Sequence, residues 1–430
     1  MQVDEALATL GLTEYAEEIG PEWEDSQAAM PEGEFPFLAP EFLREACRAT
    51  YVPAEVAEAA ARAAERIADS EVLRALTWHF HHVLYHSRTA HWNSICRWPA
   101  TPAAMGGEAG RFYLVVLLSG FRVMQEEHRK HAIPPEVVRD TVLDLKAWLE
   151  MEREKDRADL PSLKPVNVAW LMNHLRGGLY RLGRLQFQFA ACQYRIRVFR
   201  HRETKVVLAL AEDGVAYRAD GQVDRHGDAA GGWTARLAVD EHGAVGCPIL
   251  PTGRAVQKEV TLPAAEWEQV LTHGDPVFNI HIPGGGPMSH AACGKSFRQA
   301  MAFFPEHYPD YSYRAFVCSS WILNTWLAEA LPPTSNLARF QREVYLFPTG
   351  VWLPSMYSRV FGLEEMPEDP SQLPRDTGLR RAIVEALESG RGVGAGGGGC
   401  FLFSEDFAWG GEVYRRSGTL ASHTDMISQT

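Results

Sequence analysis

The chain has 430 residues, 46% of them hydrophobic and 10% aromatic, enough for two or three domains with ordinary cores. Its formal net charge of −13 excludes a broad attraction to nucleic acid or to an anionic membrane surface, while leaving room for a local basic pocket. Seven cysteines, an odd number with no CxxC spacing, argue against a disulfide framework and a structural zinc site and fit a reducing compartment.

The N-terminal stretch is acidic and has neither the basic start nor the apolar core of a signal peptide. No apolar run reaches the ~18 residues of a membrane helix. A cytoplasmic protein is expected. Residues 1–33 read as a short helix and a loop. Residues 55–76 are rich in Ala, Glu and Arg, strong helix formers. Leu73, Leu76, Phe80, Val83 and Leu84 continue the helical spacing. Four histidines, His79, His81, His82 and His86, crowd this stretch. His82 and His86 have the i, i+4 spacing of a metal pair, but no HExxH motif or flanking carboxylate accompanies them. They read as a solvated or hydrogen-bonded face, and no metal is expected. Residues 112–121 form the longest apolar run and read as a buried helix. Pro134-Pro135-Glu136 opens another amphipathic helix.

Near Arg181 the texture changes. Residues 185–200 alternate apolar and polar side chains, as a half-buried strand does. Residues 205–210 and 233–239 are further strands, with Gly231-Gly232 and Gly243-Ala244 as hairpin turns. An antiparallel meander is expected through residue 262. A β-α-β passage follows. Residues 277–282 form a strand, Pro283-Gly284-Gly285-Gly286-Pro287 a loop, and residues 289–304 a helix capped by Ser289. Residues 313–323 form the next strand, expected to lie parallel to the first because a helix joins them. Ser335-Asn336 opens a short helix, residues 344–347 a strand, and Asp376-Thr377 another helix. The glycine run at 392–399 reads as a flexible loop before a last strand, and a loose tail follows.

Four segments carry a family resemblance: YRLGRLQF (180–187), HIPGGGPM (281–288), FVCSSWIL (316–323) and SNLARFQ (335–341). In their order and spacing the chain resembles bacterial acyltransferases that pair a helical N-acyltransferase N-terminal domain with a GNAT-like C-terminal domain. The resemblance implies an α+β protein. Its all-helical domain would span residues 1–180 and its mixed-sheet domain flanked by helices residues 181–404, with a flexible tail at 405–430. It implies acyl-CoA as co-substrate, without a metal, and a small-molecule or peptide amine as acceptor. No nucleic-acid or membrane partner is implied.

The same resemblance assigns site residues. Backbone N–H groups around Gly284, Gly285, Gly286 and Met288, at a helix start, would receive the pyrophosphate of coenzyme A. The usual GNAT loop carries Gln or Arg ahead of its glycines, and this one does not. A plain strand-helix turn is the alternative. Asn336 would touch the cofactor arm, or Ser335-Asn336 simply caps a helix. Amine-to-thioester transfer needs a base, oxyanion donors and a proton for the leaving thiolate. His281 is the expected base. Cys318 and Ser320, on one face of the next strand, are expected beside it where the two strands splay. Otherwise His281 is a satisfied strand-end histidine and Cys318 a small buried hydrophobe. In the family the residue after the strand cysteine is often His, whereas Ser319 stands here. Two rival functions remain: a non-catalytic protein that binds an acyl or peptidyl partner, and a hydrolase using Cys318 and His281. Gly294-Lys295-Ser296 ends like a phosphate-binding loop but lacks its first glycine and falls inside a helix.

Overall fold

The computed structural model describes all residues except 88–91, 101, 228, 351–353, 364–366, 368, 390–396 and 417–430. The chain divides into two compact units, Met1–Leu182 and Gly183–Thr430.

The first unit is helical, and among its described residues the strand Leu179–Leu182 is the one exception. Its main helices are α1 (Val3–Leu10), α2 (Pro40–Ala49), α3 (Ala54–Ala68), α4 (Glu71–Tyr85), α5 (Phe112–Leu118), α6 (Phe121–Lys130), α7 (Pro135–Asp156) and α8 (Pro165–Leu175). Proline at the first turn opens α2, α7 and α8, where its missing N–H costs nothing. Ala59, Ala60, Ala63 and Ala64 of α3 are fully buried, and this small-residue helix packs against α2, α4 and α5. Every residue of α5 is buried, as the apolar run 112–121 led one to expect.

Of the two readings of the α4 histidines, solvated or hydrogen-bonded, His79 and His81 take the hydrogen-bonded one, inside the core. His79 and His81 are buried against the Trp23 and Phe37 rings, at centroid distances of 5.1 and 4.9 Å. His79 Nδ1 meets Ser26 Oγ at 2.9 Å, and His81 Nδ1 meets Ser119 Oγ at 2.7 Å. Burial pushes both imidazoles down to about 3. Their apolar neighbours Leu76, Phe80 and Leu84 place them on the core side, which a count of polar residues cannot reveal. Among the described residues no group of three or more His, Cys, Asp or Glu is placed to hold a metal ion. No described helix is long and apolar enough to cross a membrane.

The second unit carries a mixed sheet with helices, as expected, but its strands do not form one sheet. Strand β1 (Leu185–Ala191) ends where Cys192 turns to the loop at residues 274–275, its N–H donating to Asp275 O at 2.8 Å. The chain then enters β2 (Ile196–His201) in a different sheet. That antiparallel sheet also holds β3 (Val207–Ala211), β4 (Pro248–Leu250), β5 (Arg254–Ala255) and β6 (Trp267–Leu271), in the order β5-β4-β3-β2-β6. A three-stranded sheet built from Leu237–Asp240, Gly243–Gly246 and Val260–Pro263 shares a core with it through Leu208, Leu210, Ala244 and Leu262. The alternation over residues 185–200 is unbroken in sequence because both strands are half-buried. Only the backbone shows the change of sheet.

The principal sheet of this unit runs β1-β7-β8-β10-β9, with β7 (Pro276–His281), β8 (Phe316–Ser320), β9 (Tyr345–Thr349) and β10 (Gly397–Leu402). β7 and β8 are parallel and the other neighbours antiparallel. Helix α9 (His290–His307) makes the crossover between the parallel pair, capped by Ser289, whose Oγ accepts from Ala292 N at 3.3 Å. Its Phe297 and Phe304 cover Phe187, Phe189, Phe278 and Phe316 on one sheet face. Helices α10 (Asn336–Glu343) and α11 (Gly378–Glu388) are capped by Ser335 and Thr377.

Two expectations near the C-terminus are corrected. The part of the glycine run that lies among described residues, Gly397 to Gly399, is buried strand, because β9 and the turn after β8 press on it. A Cβ on Gly398 would stand 1.9 Å from Leu323 O, and one on Gly399 2.2 Å from the Phe347 ring. The expected tail is packed at residues 405–416. Arg200 holds Asp406 through two hydrogen bonds of 2.7 and 2.9 Å and reaches Glu405 at 3.0 Å, while the buried Tyr414 donates to Asp406 at 2.9 Å. Removing one partner of so buried an ion pair strands the other. Arg200→Ala is therefore expected to lower stability by about 3 kcal/mol, seen as a reduced urea midpoint. An unchanged midpoint would show that this segment does not brace the sheet. Residues 417–430 lie outside the described residues.

Candidate active site

Strands β7 and β8 form a short ladder, with only Phe278↔Phe316 and Asn279↔Val317 in register. Each continues past that point without pairing to the other, β7 to His281 and β8 to Ser320. The strands part, as the sequence reading expects.

Register then decides which side chains share a face. Residues paired across a ladder point the same way, and successive residues point oppositely. Phe278 and Phe316 face α9. Ile280, Cys318 and Ser320 lie on that same face by alternation. His281 lies on the other, with Asn279 of β7, Gln186 and Gln188 of β1, and Ser319 of β8. The sheet therefore separates His281 from Cys318 and Ser320, which the sequence reading places together. The cause is a parity that only the β7/β8 register discloses.

His281 is half-buried, and its Nε2 lies 2.8 Å from Gln188 Oε1. That contact orients the imidazole over the sheet face that carries Gln188. Asn279 Nδ2 approaches the same nitrogen at a longer 3.3 Å. Ser319 is exposed on this face, its Oγ 3.4 Å from Thr349 Oγ1 of β9. On the opposite face Cys318 is 3% exposed and stands directly across from Cys400 of β10. The Cys318 thiol and then burial hold Cys400 well above the ordinary thiol range. Ser320 Oγ accepts from Ile322 N at 3.4 Å and starts a 3-10 turn at Trp321. Tyr345 offers no acid either. Its hydroxyl is buried and bonded to Ile249 O and to Ala209 N.

Past His281 the chain enters the glycine loop. Gly284, Gly285 and Gly286 are exposed, and a Cβ built on any of them meets nothing within 4 Å. Gly285 and Gly286 have φ of +83° and +148°, which side-chain-bearing residues rarely adopt. Among the described residues no protein acceptor takes the amides of Gly284, Gly285, Gly286 or Met288. Met288 itself is buried at the mouth of α9. The first N–H groups of that helix add further donors and its positive dipole end. The combination gathers unengaged backbone donors at the start of a helix.

Asn336 is exposed in the first turn of α10. At i, i+3 and i+7, Asn336, Arg339 and Glu343 share a stripe of that helix. The stripe meets His290, the first residue of α9: Glu343 Oε1 is 2.7 Å from His290 Nε2 and Arg339 Nη2 is 3.2 Å from its Nδ1. The stripe therefore runs beside the helix start that follows the glycine loop. Sequence reasoning missed His290 and Gln188 and named Ser319 only as a departure from the family pattern. Period-two alternation from Asn279 and His281 can flag Ser319 only once the strand register is known.

A helical unit followed by a mixed sheet, whose parallel strands part beside a glycine loop opening a helix, is the arrangement that two family models describe. Residues 179–400 match the GNAT-like C-terminal domain family, and residues 41–177 match the N-acyltransferase N-terminal domain family. The chain belongs to this acyltransferase family. The same fold is seen in the crystal structure of an acyltransferase in complex with decanoyl-CoA and teicoplanin, which is 22% identical, with a TM-score of 0.63, and covers 94% of this chain and 99% of that one. A structure with CoA and 10C-teicoplanin gives the same values. An acyltransferase mutant in complex with octanoyl-CoA is 23% identical over the same coverage, with a TM-score of 0.61. No curated protein matches the chain.

Proposed function

We propose that this acyltransferase moves an acyl group from acyl-CoA directly to an amine on a small molecule or peptide. The observation that carries the reading is the set of unengaged amides at the exposed Gly284, Gly285 and Gly286 and at the buried Met288, gathered at the head of α9. Such a cradle binds the diphosphate of coenzyme A, and the adjoining gap between β7 and β8 takes the pantetheine arm. His281, at the lip of that gap, takes the proton from the attacking amine. Ser319 lies on the same face and donates to the oxyanion or to the departing thiolate. Cys318 packs on the far side, so the acyl group passes straight to the amine without a covalent enzyme intermediate. Structures of similar acyltransferases hold octanoyl- and decanoyl-CoA, so donors from acetyl to decanoyl form the natural panel.

The test is a thermal-shift and calorimetric titration with that panel. A donor at 100 times its Kd should stabilise the chain by about 2.7 kcal/mol. Gly284→Val adds a side chain in open space at a position without positive φ. It should leave folding within about 0.5 kcal/mol of wild type while weakening donor binding at least tenfold. Equal affinity in the folded variant would remove the loop from the donor site. No binding of any acyl-CoA by the wild-type chain would defeat the whole reading.

A further inference from the structure

We propose that Arg184 is the positioning residue of the donor diphosphate subsite, a clamp that holds the carbonyls of the glycine loop inward so that its amides face the phosphates. This rests on the acyl-CoA reading and assigns a role to a residue of the turn before β1. The Arg184 guanidinium donates to three carbonyls of one five-residue loop: Nη1 to Pro283 O at 2.7 Å, Nη2 to Gly286 O at 2.9 Å and Nε to Pro287 O at 3.2 Å. Its own backbone is anchored, since Arg184 N donates to Ser296 Oγ of α9 at 2.8 Å. The clamp therefore ties the loop to the helix that the loop opens.

The physical need is specific to this loop. Prolines at 283 and 287 have no N–H, so the donors available to an anion are the amides of Gly284, Gly285, Gly286 and Met288. Glycine peptides flip readily, and each flip would turn a carbonyl oxygen toward the phosphates in place of an N–H. The Pro283 and Pro287 carbonyls belong to the peptides that carry the Gly284 and Met288 N–H groups, so those two peptides cannot flip without breaking charge-assisted bonds, and the bond to Gly286 O pins the loop between them. Binding then meets a preorganised set of donors and does not bear the cost of ordering them. The guanidinium also sets a positive charge behind the loop. Lysine would supply that charge from a compact head on a flexible stem, without the planar fork whose three separate nitrogens reach Pro283 O, Gly286 O and Pro287 O.

The experiment compares acyl-CoA with the matching acyl-pantetheine, which has the same thioester and arm but no diphosphate, in wild type, Arg184→Ala and Arg184→Lys. Arg184→Ala should raise KM for acyl-CoA about tenfold or more, from the loss of charge-assisted bonds. Its kcat should stay within about threefold and its KM for acyl-pantetheine within about twofold. Arg184→Lys should remain within about threefold of the alanine variant. Without any ligand, hydrogen exchange at residues 284–288 should be faster in both variants than in wild type. Recovery of wild-type KM by Arg184→Lys would overturn the clamp in favour of charge alone. Equal losses with both donors, or unchanged exchange and KM, would overturn it outright. Should Arg184→Ala fail to fold, Arg184→Lys and Arg184→Gln carry the same comparison. A wild-type chain that binds no CoA would overturn the donor reading and this role together. A wild-type chain that binds CoA as tightly as its variants would overturn the clamp alone.

Discussion

His281→Ala is expected to lower kcat by about 10²- to 10⁴-fold, with a much smaller change in donor KM, the loss typical of a general base. The geometry sets this expectation against its rival. His281 ends β7 where that strand leaves β8, and Gln188 of β1 orients its ring through a 2.8 Å contact. Gln188→Ala frees the ring without removing it, so its loss should be smaller than that of His281→Ala. Cys318 is buried on the opposite face beside Cys400. Cys318→Ala should keep turnover within about threefold of wild type. The reverse result is equally readable. If Cys318→Ala abolishes transfer, an acylated Cys318 appears by mass spectrometry and His281→Ala turns over normally, a ping-pong route through the thiol replaces direct transfer.

The second large effect is acid lability of the helical unit. Burial pushes His79 and His81 down to about 3 and His128 down to about 4. In the unfolded chain these imidazoles titrate near ~6.5. Between those values the unfolded state holds protons that the folded state refuses, so stability rises with pH there and is flat above about pH 7. Each histidine contributes a slope of up to about 1.4 kcal/mol per pH unit within its window. Urea unfolding of the full chain, followed by tryptophan fluorescence at pH 7, 6, 5 and 4, should show a falling midpoint for the phase that reports this unit. His81→Gln keeps a polar partner for Ser119 and should flatten the slope by about one histidine's share. A midpoint indifferent to pH over this range would mean that these side chains are not dry in solution.

Much of the fold is legible in the sequence because its signals are local. Ser289, Ser335 and Thr377 cap the helices they introduce, and the strand-loop-helix-strand order around residue 280 gives the parallel pair. Other features depend on partners distant in the chain. The change of sheet at Cys192 is written in its bond to Asp275, and the Arg200 clamp on Asp406 joins residues 206 apart. Residues 313–323 read as one strand, but β8 ends at Ser320, whose hydroxyl turns inward to cap the following residues. The candidate site was legible as a list of residues and not as an arrangement. His281 and the glycines stand where the motif puts them. The separation of His281 from Cys318 follows from one register between two strands. The Arg184 contacts were invisible because nothing in a Gly-Arg turn says which carbonyls its side chain will find.

The glycines that open β10 invert the usual link between compositional simplicity and mutational freedom. A run of identical small residues suggests a stretch where almost any change is harmless. At Gly398 the obstacle to a larger residue is the carbonyl of Leu323, which is main chain and cannot rotate aside. At Gly399 it is the face of Phe347. The least informative-looking words in the sequence are thus among its most exacting. A random library over the acyltransferase domain should recover variants at many core leucines and phenylalanines, which neighbours can accommodate, before it recovers any at these two positions.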